Sequence, residues 1–463
     1  MGKQYYGEKP LKTVLMGLRT CMSRKLFATW FCFVFLSLMV PLSALAFLDT
    51  LKMTAFNSGA FARGGAAVAI GVDEPTNMNL NPAVISETLS NTLDLNLLFT
   101  TADFDFVHYK SDGTRENDQG KDRISVVPHI GYAHHIKDSR WTWGIAMAVV
   151  DGFACDYTFN SNYFGPVNAF SEMLHMRISP ALSYQITPEL AFGTRIGLDY
   201  GSLDMRIPFG IAKFDLGQCD GFGFSLGAGF LYKPSEKWSF GIYYSNTFMN
   251  DLRTKNDDGS IAADFDGPGP GGITYFSKLD VRVKNFDFPQ HYGAGFAYRP
   301  NPSWRLSADI KYINWKRNWD QLELVFDGEA YPLKKIKFPV HIDDQTPLSL
   351  GLEYFFGEGQ KYCAIIGFHY NDEAMTENYL NPIVPAEVQH QYSCGFSVKP
   401  AETCKMGIAF IYGDMDDPHS KSQHAYDKAI AEQFGAAGLD SELNNSKVKY
   451  SEYNIQLSFV QYW

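Results

Sequence analysis

Residues 174–186 alternate without a break. Leu174, Met176, Ile178, Pro180, Leu182, Tyr184 and Ile186 fall on one phase, and His175, Arg177, Ser179, Ala181, Ser183 and Gln185 on the other. Side chains of a strand point to opposite faces with a period of two, so one face meets apolar surroundings and the other polar ones. The next segment repeats the pattern, with Leu190, Phe192, Thr194, Ile196, Leu198 and Tyr200 against Ala191, Gly193, Arg195, Gly197, Asp199 and Gly201. Trp141, Trp143, Ile145, Met147 and Val149 oppose Thr142, Gly144, Ala146 and Ala148. From Phe222 to Tyr232 the polar phase is nearly all Gly and Ser. A chain patterned in this way must become a sheet with one apolar and one polar face.

The connections decide which sheet. Short turns rich in Pro, Gly, Asp and Ser stand at Lys137–Arg140, Thr187–Glu189, Lys233–Glu236, Arg299–Ser303, Gly357–Gln360 and Lys399–Thr403, the residues that turns demand. Longer polar loops are expected near 110–122, 155–172, 204–219, 251–280, 317–345, 373–388 and 415–446. Six short turns and seven long loops join 14 strands, and both chain ends then lie on the short-turn side. An even strand count with short turns at one end and long loops at the other describes an outer-membrane barrel. A soluble sandwich needs no such one-sidedness. The chain is 15% aromatic, with 26 Tyr and 36 Phe among 463 residues. Its mean hydropathy is only −0.19. A transmembrane barrel is bland in this way, because its strands are apolar only at alternate positions.

Residues 26–45 read LFATWFCFVFLSLMVPLSAL, preceded by Arg24-Lys25 and closed by Ala44-Leu45-Ala46. Charge, apolar core and small residues at −3 and −1 predict a secretory signal at 1–46, cut after Ala46. Met22 would give the signal a more ordinary length than Met1. No other run of about 18 apolar residues follows, so after cleavage the chain can enter a membrane only as a barrel. The expected location is the bacterial outer membrane, as a multi-pass barrel in contact with its lipid.

The formal net charge is −11. The signal removes six bases and one acid, leaving a more acidic chain and making nucleic acid an improbable partner. The cysteines form no C-x-x-C and no disulfide framework. Cys155 and Cys219 fall in predicted outer loops, where pairing is one alternative. The histidines are dispersed, and adjacent His134 and His135 point to opposite faces of a strand. No metal, cofactor or catalytic set is expected, and no G-x-S-x-G occurs. The chain does not read as an enzyme.

Residues 47–92 are rich in Gly, Ala and Asn and show no sustained period. A barrel of 14 strands leaves a wide lumen. We expect this segment to lie inside as a plug, with the barrel running from 93 to 463.

Three stretches carry a resemblance to a known family. The first is Asn57-Ser-Gly-Ala-Phe-Ala-Arg-Gly-Gly-Ala-Ala-Val-Ala-Ile-Gly-Val-Asp73, followed by Asn81-Pro-Ala83. The second is Phe288-Pro-Gln-His-Tyr-Gly-Ala-Gly-Phe-Ala-Tyr298, running on through Trp304 to Tyr312-Ile-Asn-Trp315. The third is Pro347-Leu-Ser-Leu-Gly-Leu-Glu-Tyr354 with Gly367-Phe-His-Tyr-Asn371, Pro382 and Pro385. In order and spacing these resemble the FadL family of outer-membrane transporters for long-chain fatty acids and other hydrophobic compounds. The resemblance spans the mature chain. It implies a monomeric 14-stranded antiparallel barrel plugged by an N-terminal hatch, with passive uptake. It also implies capture in an outer groove, transfer to an interior pocket, and exit through the wall by hatch movement and a kinked third strand. An aromatic-hydrocarbon channel of the same family and a general diffusion porin are the alternatives.

Several residues are candidates for parts of that route. A fatty-acid carboxylate needs cations in the lumen, and Arg177, Arg195 and Lys311 lie on inward phases. The competing expectation is that Arg195 merely pairs with Asp199. Arg63 and Asp73 are candidates for ties between hatch and wall, and Asn81-Pro82 for a turn that ends the hatch. Asp151-Gly152 interrupts the alternation of the third strand, where a Gly often marks a bulge. Phe209, Phe214, Phe265, Tyr275 and Phe276 are apolar residues in outer loops. They suit either a capture groove or packing among the loops themselves.

Overall fold

The structure, a computed structural model, describes residues 51–463 apart from 111–112, 122, 162–163, 210–211, 264–273, 328–334, 376–378, 380–387 and 416–445. The expected signal at 1–46 lies outside the described residues. Twenty strands form one sheet, and 14 of them close into an antiparallel barrel. In chain order the wall strands are β1 (Thr92–Tyr109), β2 (Ser125–His135), β3 (Trp141–Ser161), β4 (Gly165–Gln185), β5 (Leu190–Phe209), β6 (Ala212–Ser235) and β7 (Trp238–Met249). They continue as β8 (His291–Asn301), β9 (Trp304–Ile313), β10 (Leu348–Phe356), β11 (Tyr362–Tyr370), β12 (His390–Ala401), β13 (Cys404–Asp414) and β14 (Lys447–Tyr462). Each pairs with the next. β14 returns to β1 along Thr92↔Tyr462 through Val107↔Lys447, which closes the barrel. Trp463 ends the seam, exchanging backbone hydrogen bonds with Asn91 and stacking on Tyr132.

The period-two faces land as the sequence requires. On β4, Ile178 and Leu182 point outward and are exposed, while Arg177, Ser179 and Ser183 point inward and are buried. Aromatic pairs bracket the apolar band. Trp141–Tyr184, Trp238–Tyr298 and Trp304–Tyr354 stand near the short turns, and Tyr292–Tyr312 and Tyr412–Tyr453 toward the long loops. Such girdles mark the two interfaces of a barrel in a bilayer.

Two expected loops are different in the structure. Residues 155–172 and 204–219 are largely strand: β3 runs to Ser161, β4 starts at Gly165, β5 reaches Phe209 and β6 starts at Ala212. This wall rises above the membrane with its apolar phase turned inward, as at Phe153, Tyr157 and Phe159, while the outward phase becomes polar; the register shift at Asp151 breaks the alternation seen lower down. Smaller strands at Arg115–Gln119, Leu252–Thr254, Gly259–Ala263, Thr274–Lys284, Gln321–Asp327 and Lys335–Pro339 extend this upper wall. Cys155 and Cys219 are buried in it and form no disulfide with each other.

Residues 51–91 fill the lower lumen. A short helix, α1 (Ser58–Ala62), is capped by Asn57, whose side chain accepts from the Ala60 amide. It ends on Gly64, which adopts φ 62°. Gly65 N–H donates to Ala60 O and Gly64 N–H to Phe61 O, the Schellman closure that glycine makes without strain. Single 3₁₀ turns follow at Pro75–Asn79 and Pro82–Glu87.

The wall glycines make room for this segment. A Cβ on Gly193 would sit 2.3 Å from Ala83 N, and one on Gly241 2.2 Å from Val68 O. Glycine at these two positions is therefore the imprint of a backbone packed against it. Wall side chains satisfy that backbone in turn. Asp309 accepts from the Ala67 and Val68 amides at 2.7 and 2.9 Å, Ser239 donates to Ala69 O at 2.8 Å, and Ser393 to Ala62 O at 3.0 Å.

Candidate functional site

Above the plug the interior changes character. Buried apolar side chains from the upper wall and outer loops form one cluster, including Phe153, Met173, Leu203, Phe286, Phe288, Trp315 and Trp319. Phe286 lies 5.1 Å from Trp319 and 5.4 Å from Phe288, and Trp315 packs edge-on to Trp319 at 5.7 Å.

A belt of charge lies directly beneath. Strands β3, β4 and β5 present Asp151, His175, Arg177, Asp199 and Arg195 to the lumen, all buried. His175 Nδ1 stands 2.5 Å from Asp151 Oδ2 and its Nε2 2.6 Å from Asp199 Oδ1. The ring stacks on Phe288 at 3.9 Å, which joins belt to apolar cluster. Arg177 donates through Nε to Asp199 Oδ1 at 2.6 Å and through Nη2 to Thr247 at 2.8 Å. Lys52, at the start of the plug, closes the chain on Asp151 Oδ1 at 3.0 Å.

Arg195 stands apart. It is 1% exposed. It donates to Ser225 Oγ at 3.1 Å and Ser245 Oγ at 2.6 Å, and its Nε–H has no partner. The expected pair with Asp199 does not form; Asp199 is taken by Arg177 and His175. Inward phase alone could not settle which arginine the carboxylate meets. That depends on the stagger between strands: Asp199 lies opposite Arg177 in the β4–β5 register, whereas Arg195 lies opposite Ala181. Lys311 also lies inward, but its ammonium donates to Thr54 O at 3.2 Å and Gly65 O at 3.4 Å. It holds the plug backbone.

Asp151-Gly152 marks an irregular stretch of wall. The β3–β4 register shifts between Val149 and Asp151. On the other side, pairing of β3 with β2 stops at Ile130↔Met147, although β2 continues back to Ser125. Pro128 in that stretch has no N–H to give to a ladder. The plug takes the vacated positions. Met53 N–H donates to Val150 O at 3.0 Å, Gly152 N–H donates to Leu51 O at 2.8 Å, and Lys52 bridges Asp151.

The floor is tied by charge. Arg63 is wholly buried and meets Glu74 at 2.5 Å and Glu353 of β10 at 3.4 Å; Arg305 also pairs with Glu353. Burial opposes the charged guanidinium, but the two carboxylates raise its pKa above the ordinary arginine value. Asp73 adopts φ 66° and reaches Lys399 at 3.4 Å and Lys405 at 3.8 Å. Burial pushes its carboxyl up, yet Lys405 and Lys399 hold it below its usual value. Asn81 caps the turn that starts at Pro82, accepting from Ala83 N–H and donating to Phe230 O of β6 at 3.1 Å. Glu74, Glu353 and Lys52 were not singled out in the sequence. Glu353 carried a signal, since Leu352 and Tyr354 put it on the inward phase of an apolar strand.

Of the loop aromatics, Phe214 is buried and tilts against Phe326, and Phe276 packs on the same cluster. Tyr275 is 70% exposed. Phe265 lies outside the described residues, as does the side chain of Phe209. Packing among the loops accounts for Phe214 and Phe276. Among the described residues no group of three or more His, Cys, Asp or Glu is arranged to hold a metal.

The model of the outer membrane protein transport family (OMPP1/FadL/TodX) matches residues 42–449. The chain belongs to this family. It is an outer-membrane β-barrel and a transporter of hydrophobic compounds, in a family made up of transporters and channels rather than enzymes. Several solved structures share the fold. The Pseudomonas putida toluene transporter TodX is 19% identical with a TM-score of 0.70, over 89% of this chain and 99% of that one. The Ralstonia pickettii toluene transporter TbuX is 16% identical with a TM-score of 0.66, over 89% and 99%. A Pseudomonas aeruginosa FadL homologue is 13% identical with a TM-score of 0.71, over 89% and 99%. A comparison with curated proteins finds no match.

Proposed function

We propose that this family member takes up long-chain fatty acids passively, as a monomer, binding the chain among the upper apolar side chains and the carboxylate at Arg195. The observation that carries this reading is a buried guanidinium with two serine hydroxyls, an idle Nε–H and no ion pair among the described residues. A buried charge without an opposite charge is costly. A carboxylate arriving from the apolar side would complete it with charge-assisted hydrogen bonds. The hydrocarbon tail contributes about 0.8 kcal/mol per buried CH₂. Arg177 keeps Asp199 in place beside it, and Lys311 holds the plug below.

Exit runs through the wall between β2 and β3. There the ladder is already broken, and residues 51–53 stand in as a removable patch. Withdrawal of Lys52 from Asp151 opens a path into lipid for an apolar molecule, with no aqueous step. The plug at 47–92 acts as the hatch.

An aromatic hydrocarbon is the second reading. The rings of Phe286, Phe288, Trp315 and Trp319 favour it, and TodX and TbuX are described as toluene transporters. Uptake of radiolabelled oleate by cells with and without the protein tests the first reading. Saturable uptake lost in Arg195→Met supports it. Toluene uptake that persists in that variant, with no oleate uptake in the parent, moves the substrate to hydrocarbons. Free passage of small sugars through the reconstituted protein would mean a porin instead.

A further inference from the structure

The outer wall carries a cavity that the lumen does not use. A groove of ≈ 580 Å³ lies on the lipid-facing side of β12, β13, β14 and β1, along Phe99, Thr101, Cys394, Phe410 and Ile455. Ile124, 73% exposed, forms one lip. Just above it a second cavity of ≈ 610 Å³ is polar, lined by Asp103, Asp105, Gln119, Asp414 and Lys449. The two share Tyr412.

They are continuous along three strands. Thr101, Asp103 and Asp105 follow one another on β1, Phe410, Tyr412 and Asp414 on β13, and Tyr453, Ser451 and Lys449 on β14. A spacing of two keeps each trio on one face. The change from apolar to charged comes at Tyr412 and Tyr453, whose rings lie 5.3 Å apart in the outer aromatic girdle, where the hydrocarbon core of a bilayer ends. A tail slot below and a head slot above make a site for an amphiphile.

The head slot has a definite chemistry. Three carboxylates face one ammonium, so an anionic phosphate meets net repulsion. Carboxylates instead accept hydrogen bonds from hydroxyl groups, and Gln119 and Ser451 add donors and acceptors. We infer that this double cavity docks a saccharide-headed lipid of the outer leaflet, with one acyl chain in the groove and the sugar against Asp103, Asp105 and Asp414. The inference stands apart from the transport reading, because it uses only the outer face.

Cys394 on the groove supplies the probe. It is free and exposed, whereas Cys155, Cys219 and Cys363 are buried. The full-length barrel is placed in nanodiscs of phosphatidylglycerol, with or without a dihexosyl diacylglycerol of the same acyl chains. Maleimide labelling of Cys394 is then timed. Slowing by about tenfold with the glycolipid is expected, the change that 1.4 kcal/mol of preferential occupancy gives. Asp103→Ala with Asp105→Ala removes the difference and leaves the rate in phosphatidylglycerol unchanged, which reports an intact wall. Equal rates in the two lipids overturn the inference, as does an undiminished preference in the double variant. Equal protection by oleate alone overturns it too, since the groove then belongs to the cargo.

Discussion

Arg63 in the floor and Arg195 in the belt are both fully buried guanidiniums on the inside of one barrel, and they are provided for in opposite ways. Arg63 has two carboxylates, Glu74 from the plug and Glu353 from the wall, and it donates through Nε to Ala66 O at 2.9 Å. Arg195 has two serine hydroxyls and an unpartnered Nε–H. The floor is complete by itself. In the belt Asp151 and Asp199 are taken by Lys52, His175 and Arg177, which leaves Arg195 without a carboxylate of its own; the belt touches the apolar cluster where His175 stacks on Phe288. Equal burial thus conceals one group that holds structure and one that, on the reading proposed above, receives the ligand.

That contrast can be broken most forcefully at the floor. Arg63→Met strands Glu74 without its cation and leaves Glu353 with Arg305 alone, and removing one member of a buried ion pair costs about 3–5 kcal/mol. A large drop in the thermal midpoint of the folded barrel, read by its gel mobility, is expected, with new protease cleavage in residues 51–91. The same change at the belt should do little to stability. Arg195→Met leaves no carboxylate unpaired, so its thermal midpoint should match or exceed the parent's. Its affinity for oleate should fall by about tenfold or more, since hydrogen bonds to charged groups contribute about 1.5–3 kcal/mol. Equal destabilisation by the two variants would erase the comparison.

Smaller effects sharpen it. Lys52→Met keeps the backbone bridge to β3 but loses the ion pair with Asp151. Hydrogen exchange at the Gly152 amide, which donates to Leu51 O, should quicken while exchange along β5 and β6 stays as it was. Unchanged exchange would mean that Lys52 does not hold the patch.

Asp73→Asn is the mildest. Asparagine tolerates the left-handed backbone at φ 66°, and pairs with partly exposed lysines contribute under about 1 kcal/mol. The lysines hold the folded carboxyl below its usual value. Its contribution is therefore complete above the unfolded pKa of about 4 and is lost as pH falls through the lower folded value. The parent should lose this increment of stability in acid and Asp73→Asn should not, as a melting series from pH 6 to pH 3 would read.

Much of this was legible in the sequence. Alternation at 174–186 and 190–200 fixed which residues face lipid, because a strand offers only two faces. The six short turns marked one end of the barrel, since their Pro, Gly and Asp are local requirements. The Gly and Ser of the inner phase from Phe222 to Tyr232 were visible in the sequence, but only the structure shows what fills the space, Arg195 against Gly227 and Asn81 against Gly229. What the sequence could not determine was who meets whom. Arg177, Arg195 and Asp199 share one inward phase, and only the stagger between β4 and β5 gives the carboxylate to Arg177 and leaves Arg195 with serines. The tall hairpins at 155–172 and 204–219 were hidden because above the membrane the outward phase turns polar and the apolar phase, as at Tyr157 and Phe159, turns to the interior. The partners of Arg63 lie 11 and 290 residues away. The face of a side chain is a local property set by backbone geometry, whereas its partner is set by the closure of the whole barrel around the plug.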